Sequence, residues 1–424
     1  MFERVNGSCG GAGILAGLRV VEGSAFVAAP LAGMTLAQLG ADVIRFDQTG
    51  GGLDHRRWPV ADNGDSLFWA GLNKGKRSLE VDLRSAEGRE LVAELIARAG
   101  TFLTNFPARG WLAYESLRAA RDDLVMVALS GNADGTSEVD YTVNPATGFP
   151  CATGPRDLGA PLNSVVPAWD CIMGGLAVTG LLAADRHRAA TGEGQLVRLA
   201  LSDVAFAMVG NLGRIAEAAL GGVDQRKDGN YLYGAFGSDF ETRDERRVMV
   251  VALTARQWSA LVEATGTSGI FRAIEATTGQ DFATQASRYE GRDLIAAVLR
   301  PWFASRSLDE VRRTFDGTGV SWGPYQTFRQ LVEEDARCST ANPMFEHVEH
   351  PGVGEYPMPR SPLDFGGTGR LPVRRAPALG EHTEEILAQD LGLSDREIGR
   401  LAERSVIGCG TPESDSLPGL AEAA

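Results

Sequence analysis

Three short runs near the start restrict the fold more than anything else in the chain. LRVVEG (Leu18–Gly23) reads as a buried strand, and PLAGMTLAQLG (Pro30–Gly40) as a helix with Pro at its start and Gly at its end. ADVIRFD (Ala41–Asp47) is a second strand, so the chain opens with a βαβ unit. SAEGRELVAELIARAG (Ser85–Gly100) is amphipathic, with Leu91, Val92, Leu95 and Ile96 on one face and Ser85 placed as its cap. TFLTNF (Thr101–Phe106) and LVMVALS (Leu124–Ser130) follow as strands. Alternation of this kind predicts an α/β layer built on a mostly parallel sheet.

A chain of 424 residues exceeds the usual single domain, so two domains are expected. With 44% hydrophobic and 23% charged residues, the composition is that of a soluble globular protein. A net charge of −14 argues against nucleic acid as a partner, because binding phosphate backbones needs a basic surface. A small anionic ligand stays possible, since a local basic pocket can sit on an acidic protein. Cys9, Cys151, Cys171, Cys338 and Cys409 are scattered without CxxC spacing, which fits a reduced cytoplasm. The start MFERVNGSCGGAGILAG lacks the apolar core of a signal peptide. The longest uncharged apolar run, Cys171–Ala184, is short and glycine-rich for a bilayer span. The expectation is a cytoplasmic protein without a membrane partner.

From Ser164 to about Leu220 the pattern is mainly helical, interrupted by TGEGQLVRLALSD. From Gly221 the texture changes to short charged helices around the strand RVMVVALT, which marks a smaller second domain. The expected boundaries are 1–220 for the first part of a large domain, 221–345 for the small domain, and 346–424 for a return segment and the rest of the large domain. His350–Gly380, rich in Pro and Gly, should be extended. Two short helices close the fold, the second with the capping box Ser394-Asp395-Arg396-Glu397. The Gly-rich leader and the tail TPESDSLPGLAEAA are expected to be flexible.

Several chemistries can be set aside on residue pattern. The turn after the first strand is EGSAFVAAP, without the GxGxxG of a dinucleotide site, so Asp47 reads as a strand-end acid and not a ribose ligand. His347 and His350 in HVEH lack the spacing of a zinc helix and a third ligand, and no metal site is expected. No GxSxG elbow anchors a serine hydrolase. What stands out is Asp170 in PAWDCIMGG, between a Pro-containing loop and an apolar helix. An aspartate there is either a helix N-cap or a carboxylate held to react, and the two roles are compatible.

The ordered series GLRVVE, QLGADVIRFD, LNKGKRSLEVDLRSAEGRE, NFPARG, RAATGEGQLVRLALSD, ALGEHTEEIL and GLSDREIGRL resembles the family III CoA-transferases from about Leu18 to Ile407. That resemblance implies a Rossmann-like large domain built from both chain ends, a smaller α+β domain inserted through linkers, and two interlocked ring-shaped subunits in a homodimer. It implies an acyl-CoA substrate, with no tightly bound cofactor. It places the nucleophile at Asp170, ahead of the motif Arg188, Thr191, Gly192, Gly194 and Gln195. The helix start there is expected to keep Asp170 ionised and to offer oxyanion donors. Asp140 matches an acidic position close to the nucleophile, with a loop acid as the plain alternative.

By the same pattern the CoA-binding segments are Val27–Ala28, Val81–Asp82–Leu83–Arg84, Asn105–Phe106–Pro107 and Arg109. Arg84 and Arg109 are the phosphate candidates, since guanidinium matches phosphate bidentately. Lys76 and Arg77 form a second basic pair, functional or structural. Gln48 stands where many relatives have arginine, and the NFPARG loop is short. No histidine lies between His55 and His187, so the proton shuttle of the racemase branch is missing. VDYTVNPATGFPCATGP, PLNSVVPAWD and GNYLYGAFGSDFETRD are most similar to the branch that moves CoA between the C1 and C4 carboxyls of mesaconate. Transfer between two separate dicarboxylates is the alternative. Closure of the site is expected from a small-domain loop near Tyr231–Phe240 or Ser321–Tyr325.

Overall fold

The computed structural model describes residues 13–222 and 224–408. The expected flexible leader (residues 1–12) and tail (409–424) lie outside the described residues, as do Cys9 and Cys409. The chain forms two compact units. The first holds the described residues up to Thr147, then Ser164–Gly221, and those from Ala336 onward.

In the first unit, β1 (Arg19–Gly23), α1 (Ala28–Gln38), β2 (Asp42–Asp47), β3 (Arg77–Val81), α2 (Ala86–Ala99), β4 (Thr101–Thr104) and β5 (Val125–Ser130) follow in order. Next come α3 (Asp140–Ala146), α4 (Ala168–Thr191), β6 (Gln195–Ala200) and α5 (Leu201–Asn211). The interruption read in the helical stretch is therefore a sixth strand. The sheet runs β3-β2-β1-β4-β5-β6, all parallel, and the C-terminal strand Ile407–Gly408 pairs antiparallel with β3 at the edge. Val21 of β1 lies opposite Ile44 of β2 and Phe102 of β4, so the strand order reverses across β1. That reversal creates a crevice at the carboxyl ends of β1 and β4, where open α/β sheets bind ligands.

The local chemistry explains these elements. Ser85 Oγ accepts the Gly88 N–H at 2.9 Å to start α2, and Gly100 at φ 70° ends it, with Val92, Leu95 and Ile96 buried between. The TGEGQ stretch has a structural task of the same kind. Gly192 at φ 80° stops α4, and a Cβ on Gly194 would sit 2.2 Å from the Leu124 carbonyl oxygen. Gly174 in α4 leaves room for α1, because a Cβ there would stand 3.0 Å from the Ala28 oxygen. At 24 residues, α4 is long and apolar enough by length and composition to span a bilayer, which the shorter run Cys171–Ala184 did not indicate. Trp169, Met173, Ala177 and Leu181 are nevertheless buried in the unit, as in the core helix of a globular domain.

The return segment holds one regular element, a β-strand, and residues 360–380 carry no helix or strand. That strand closes a hairpin, Phe345–His350 against Gly354–Pro359. His350 is buried there and accepts the Ala376 N–H at Nε2 (3.2 Å), while His347 is exposed beside Glu355. Among the described residues no group of three or more His, Cys, Asp or Glu side chains is arranged to hold a metal. In the last helix, Asp395–Glu403, Glu397 reaches back to the Ser394 N–H at 2.8 Å.

The second unit comprises Gly148–Asn163 and Gly222–Asp335. A three-stranded antiparallel sheet, Phe236–Glu241, Arg247–Ala252 and Ser321–Pro324, packs on helices around Trp258, Phe282, Phe303 and Phe315. Residues 148–163 were expected in the large domain, and 336–345 in the small one; the structure assigns both the other way. The Gly229 N–H donates to the Gly154 carbonyl at 2.9 Å, and Arg156 pairs with Asp228 and Asp293 at 2.5 and 3.0 Å, tying the earlier segment to this unit. Most of GAFGSDF and SWGPY, expected near closing loops, is strand in this sheet.

Candidate active site

Asp170 is not the cap of α4. The helix begins at Ala168 with Pro167 in the cap position, and Asp170 lies in its first turn. The capping acid is Asp140, twenty-nine and thirty residues upstream of the N–H groups it serves. Its Oδ2 accepts the Trp169 N–H at 2.8 Å and the Asp170 N–H at 3.0 Å. Trp169 Nε1 donates to Asn144 Oδ1 at 2.9 Å, which fixes α3 and the start of α4 together. The other early N–H groups are also taken: Ala168 donates to the Val166 carbonyl and Cys171 to that of Pro167. The expected oxyanion donors at this helix start are therefore already occupied.

The pKa of Asp170 is shifted opposite to the direction a helix start imposes. Burial, then the nearby Asp140 charge, push its pKa up from 3.8 to about 6, against a pull from Arg57. The helix dipole does not win, because its N–H groups are spent on a second carboxylate that repels the first. Burial raises Asp140 as well, opposed by the two N–H bonds it accepts. Two neighbouring carboxyls, one wholly buried, thus share the start of one helix. At neutral pH Asp170 is mostly ionised and poorly solvated, as a carboxylate nucleophile needs to be.

A strained loop lies between β1 and α1. Phe26 has φ 70°, a left-handed conformation that a bulky residue adopts only when held. Asp54 holds it, its two oxygens accepting the Phe26 N–H at 3.0 and 3.1 Å. Asn105, just past β4, clamps the preceding residue, accepting the Ala25 N–H at 2.9 Å and donating to the Ala25 oxygen at 2.6 Å. No side chain caps the start of α1, and no acid stands in its first turn.

Beneath this loop is a buried ionic network. Arg45, fully buried, donates to Asp47 (3.0 Å), Asp54 (3.1 Å), Asn73 (3.1 Å) and the Ser24 carbonyl (3.0 Å). Lys76 Nζ bonds Glu22 at 2.7 Å and the Pro30 carbonyl at 2.9 Å. Burial opposes the charges on Asp47 and Lys76. Arg45 and His55 outweigh it for Asp47, held at about 2, while Lys76 falls to about 8 despite Glu22. Of the second basic pair, Lys76 belongs to this network and Arg77 pairs with Asp42 and Asp390 at 2.5 and 2.9 Å, so both are structural.

Residues 15–383 match the profile of CoA-transferase family III, described as such. The chain belongs to that family. It is 58% identical over 400 residues to the 2-methylfumaryl-CoA isomerase of Chloroflexus aurantiacus, covering 93% of this chain and 98% of that one. It is 28% identical over 393 residues to the succinyl-CoA:mesaconate CoA-transferase of Haloarcula hispanica, covering 88% and 96%. A CAIB/BAIF family protein from Brucella suis superposes with a TM-score of 0.73 at 27% identity, covering 89% of this chain and all of that one. The family assignment establishes an enzyme, and the mixed α/β fold with a parallel central sheet agrees with the solved relative.

Against that family pattern, the structure gathers most of the residues expected to meet CoA along one edge of the sheet. Val27 and Ala28 follow β1, Asn105–Pro107 follow β4, and Val81–Arg84 end β3, two strands or about 10 Å from β1. Val27, Ala28 and Val81 are buried, so none of their side chains is presented to solvent. Phe106 packs edge-on to Phe46 at 6.1 Å, and Leu83 packs on the same core. Asp82 turns back to Arg84 at 3.0 Å, leaving the Arg84 guanidinium 90% exposed; Arg109 is exposed on the loop after β4. Gln48 donates to the Gly51 carbonyl at 3.2 Å.

Sequence reasoning missed Arg45, Asp54 and Arg57. A signal was present for Arg45, a lone cation inside the apolar strand VIRF, which had to find acids or stay unpaired. Arg57 carried no such mark. It comes to the site through a loop whose path depends on the network.

Proposed function

We propose that this enzyme moves CoA between the C1 and C4 carboxyls of mesaconate, the 2-methylfumaryl-CoA isomerisation. The observation that carries this reading is the 58% identity to a 2-methylfumaryl-CoA isomerase over 93% of the chain. The geometry supplies the parts. Asp170 Oδ attacks the thioester carbonyl, forming a mixed anhydride and releasing CoA thiolate. The thiolate attacks the Asp170 carbonyl, giving an aspartyl-CoA thioester and free mesaconate. The other mesaconate carboxylate then attacks that thioester, and the returning thiolate takes the acyl group from the new anhydride. One exchange is split into easier covalent steps.

In this reading Asp140 holds the helix start and raises the reactivity of Asp170 by like-charge repulsion. The uncapped N–H groups of Val27 and Ala28 serve as oxyanion donors, each worth about 2.7–4 kcal/mol in comparable sites. CoA lies along Val81–Arg84, Asn105–Pro107 and Arg109, with Arg84 and Arg109 on its phosphates. The chain works as an interlocked homodimer in the cytoplasm, without a bound cofactor. The first unit leaves Leu176, Phe206, Ile215 and Leu220 exposed, apolar surface of the kind an oligomer buries.

The deciding experiment is an Asp170→Ala variant assayed with mesaconyl-C1-CoA; retained isomerisation would sink the nucleophile assignment. Labelled free mesaconate added during turnover tests intramolecularity. Rapid entry of label into the ester favours instead the exchange reaction named for the Haloarcula hispanica relative.

A further inference from the structure

Arg57 makes no ion pair among the described residues, although its charge acts on Asp170 from beyond contact distance. Its backbone carbonyl accepts Ser66 Oγ at 2.6 Å, the same hydroxyl that caps the helix Leu67–Leu72 by accepting the Trp69 N–H at 3.0 Å. Its guanidinium lies between two rings, 4.5 Å from the centroid of Phe68 and 5.3 Å from that of Phe26. Among the described residues no carboxylate stands within ion-pair distance of it and no side-chain hydrogen bond engages it. Arg45, Lys76 and Arg77 nearby in sequence all have acids. The two rings hold the guanidinium by cation–π attraction, and among the described residues no side-chain hydrogen bond takes up the N–H groups of its fork.

The place of this fork is set by the strained loop. Phe26 is the residue at φ 70° that Asp54 holds, and Ala28, two positions on, touches α4 at Gly174, one helical turn beyond Asp170. The residue held in that conformation presents its ring to Arg57, whose charge acts on Asp170. A dicarboxylyl thioester brings a second, unreacting carboxylate to this site, and an arginine fork matches it bidentately.

We infer that Arg57, held between Phe26 and Phe68, binds the free carboxylate of the dicarboxylyl group and so selects dicarboxylyl-CoA esters over monocarboxylyl ones. This rests on the function proposed above. It adds that one fork serves both esters, holding C4 while C1 reacts and C1 while C4 reacts. It also retains the free dianion while the aspartyl-CoA thioester exists.

The test compares mesaconyl-C1-CoA with tigloyl-CoA, which has the same double-bond geometry and 2-methyl group but a methyl in place of the C4 carboxylate. Each is mixed with enzyme and hydroxylamine, and the rate of hydroxamate formation on Asp170 is followed by peptide mass spectrometry. The wild type should label faster with mesaconyl-CoA. In Arg57→Gln the ratio of the two rates should fall by about 10- to 150-fold, the range for a lost hydrogen bond to a charged group. Arg57→Lys should restore part of that ratio. A merely structural arginine would slow both donors together and leave the ratio unchanged, which overturns the inference. Equal labelling of the wild type by both donors overturns it without any variant. Absence of Asp170 labelling with either donor overturns the underlying mechanism, and this inference with it.

Discussion

The carboxylate of Asp140 accepts the backbone N–H of Asp170 at 3.0 Å, so one acid caps the helix that carries the other. Hydrogen bonding and repulsion therefore act between the same two residues. Asp140→Asn keeps an acceptor for the helix start and removes the charge. Since burial and then the Asp140 charge raise Asp170 to about 6, the variant should bring it down, though not to the 3.8 of an unburied carboxyl. For the free wild-type enzyme, kcat/KM should fall as pH drops through about 6, where Asp170 takes up a proton. In Asp140→Asn that fall should move to lower pH. A pH profile whose acid limb stays in place would separate the two residues.

Asp170 should cost stability at the pH where it works. Its folded pKa lies above the unfolded value, so the folded protein binds the extra proton, and stability declines as pH rises from about 4 to about 6. Asp170→Asn removes that penalty. Its thermal midpoint should exceed the wild type's at pH 7–8, by up to about 2–3 kcal/mol of unfolding free energy. The gap should close as the buffer is taken down to about pH 4. A variant no more stable than wild type at pH 8 would show that the carboxylate is better compensated than its surroundings indicate.

Arg45 should be among the least replaceable residues outside the site. Arg45→Met leaves Asp47 and Asp54 buried without their cation, a loss of about 3–5 kcal/mol in denaturant unfolding. The pH dependence has the opposite sign to that of Asp170. Asp47 is held at about 2, so its stabilising contribution is full above about pH 4 and lost as pH falls toward 2. The gap between wild type and Arg45→Met should therefore narrow in acid. Because Asp54 also fixes Phe26, hydrogen exchange at the Phe26 amide should quicken in the variant.

The strands and helices of the first unit were legible because their signals are local. A period, a Ser cap and a terminal Gly mark α2 whatever it packs against. Asp170 was legible as a residue of consequence, but its relation to the helix was not. The N–H groups of α4 are capped from α3, and no spacing rule connects Asp140 to Trp169. The β1–α1 loop was hidden for a similar reason. It has no glycine signature at Phe26, because Asp54 and Asn105 supply the restraint that a glycine would have made unnecessary. Residues 148–163 joined the second unit through Arg156, whose acids at 228 and 293 are distant in sequence.

Glu22 and Gly33 form a pair whose cost can be measured against a control. Glu22 is fully buried at the end of β1, and a Cβ on Gly33 of α1 would sit 1.7 Å from its Oε2. The carboxylate is anchored through its other oxygen, Oε1, by Lys76 at 2.7 Å and Ser24 at 2.6 Å, so moving Oε2 aside disturbs both bonds. Gly33→Ala should thus destabilise by about 1–3 kcal/mol, as overpacking does, despite the better helix propensity of alanine. Gly399, inside the helix Asp395–Glu403, has open space where a Cβ would stand. Gly399→Ala should gain about 0.5–1 kcal/mol. Unfolding midpoints of the two single variants and the double variant decide the matter. Opposite signs that add in the double variant support the packing account, and two gains of equal size would refute it.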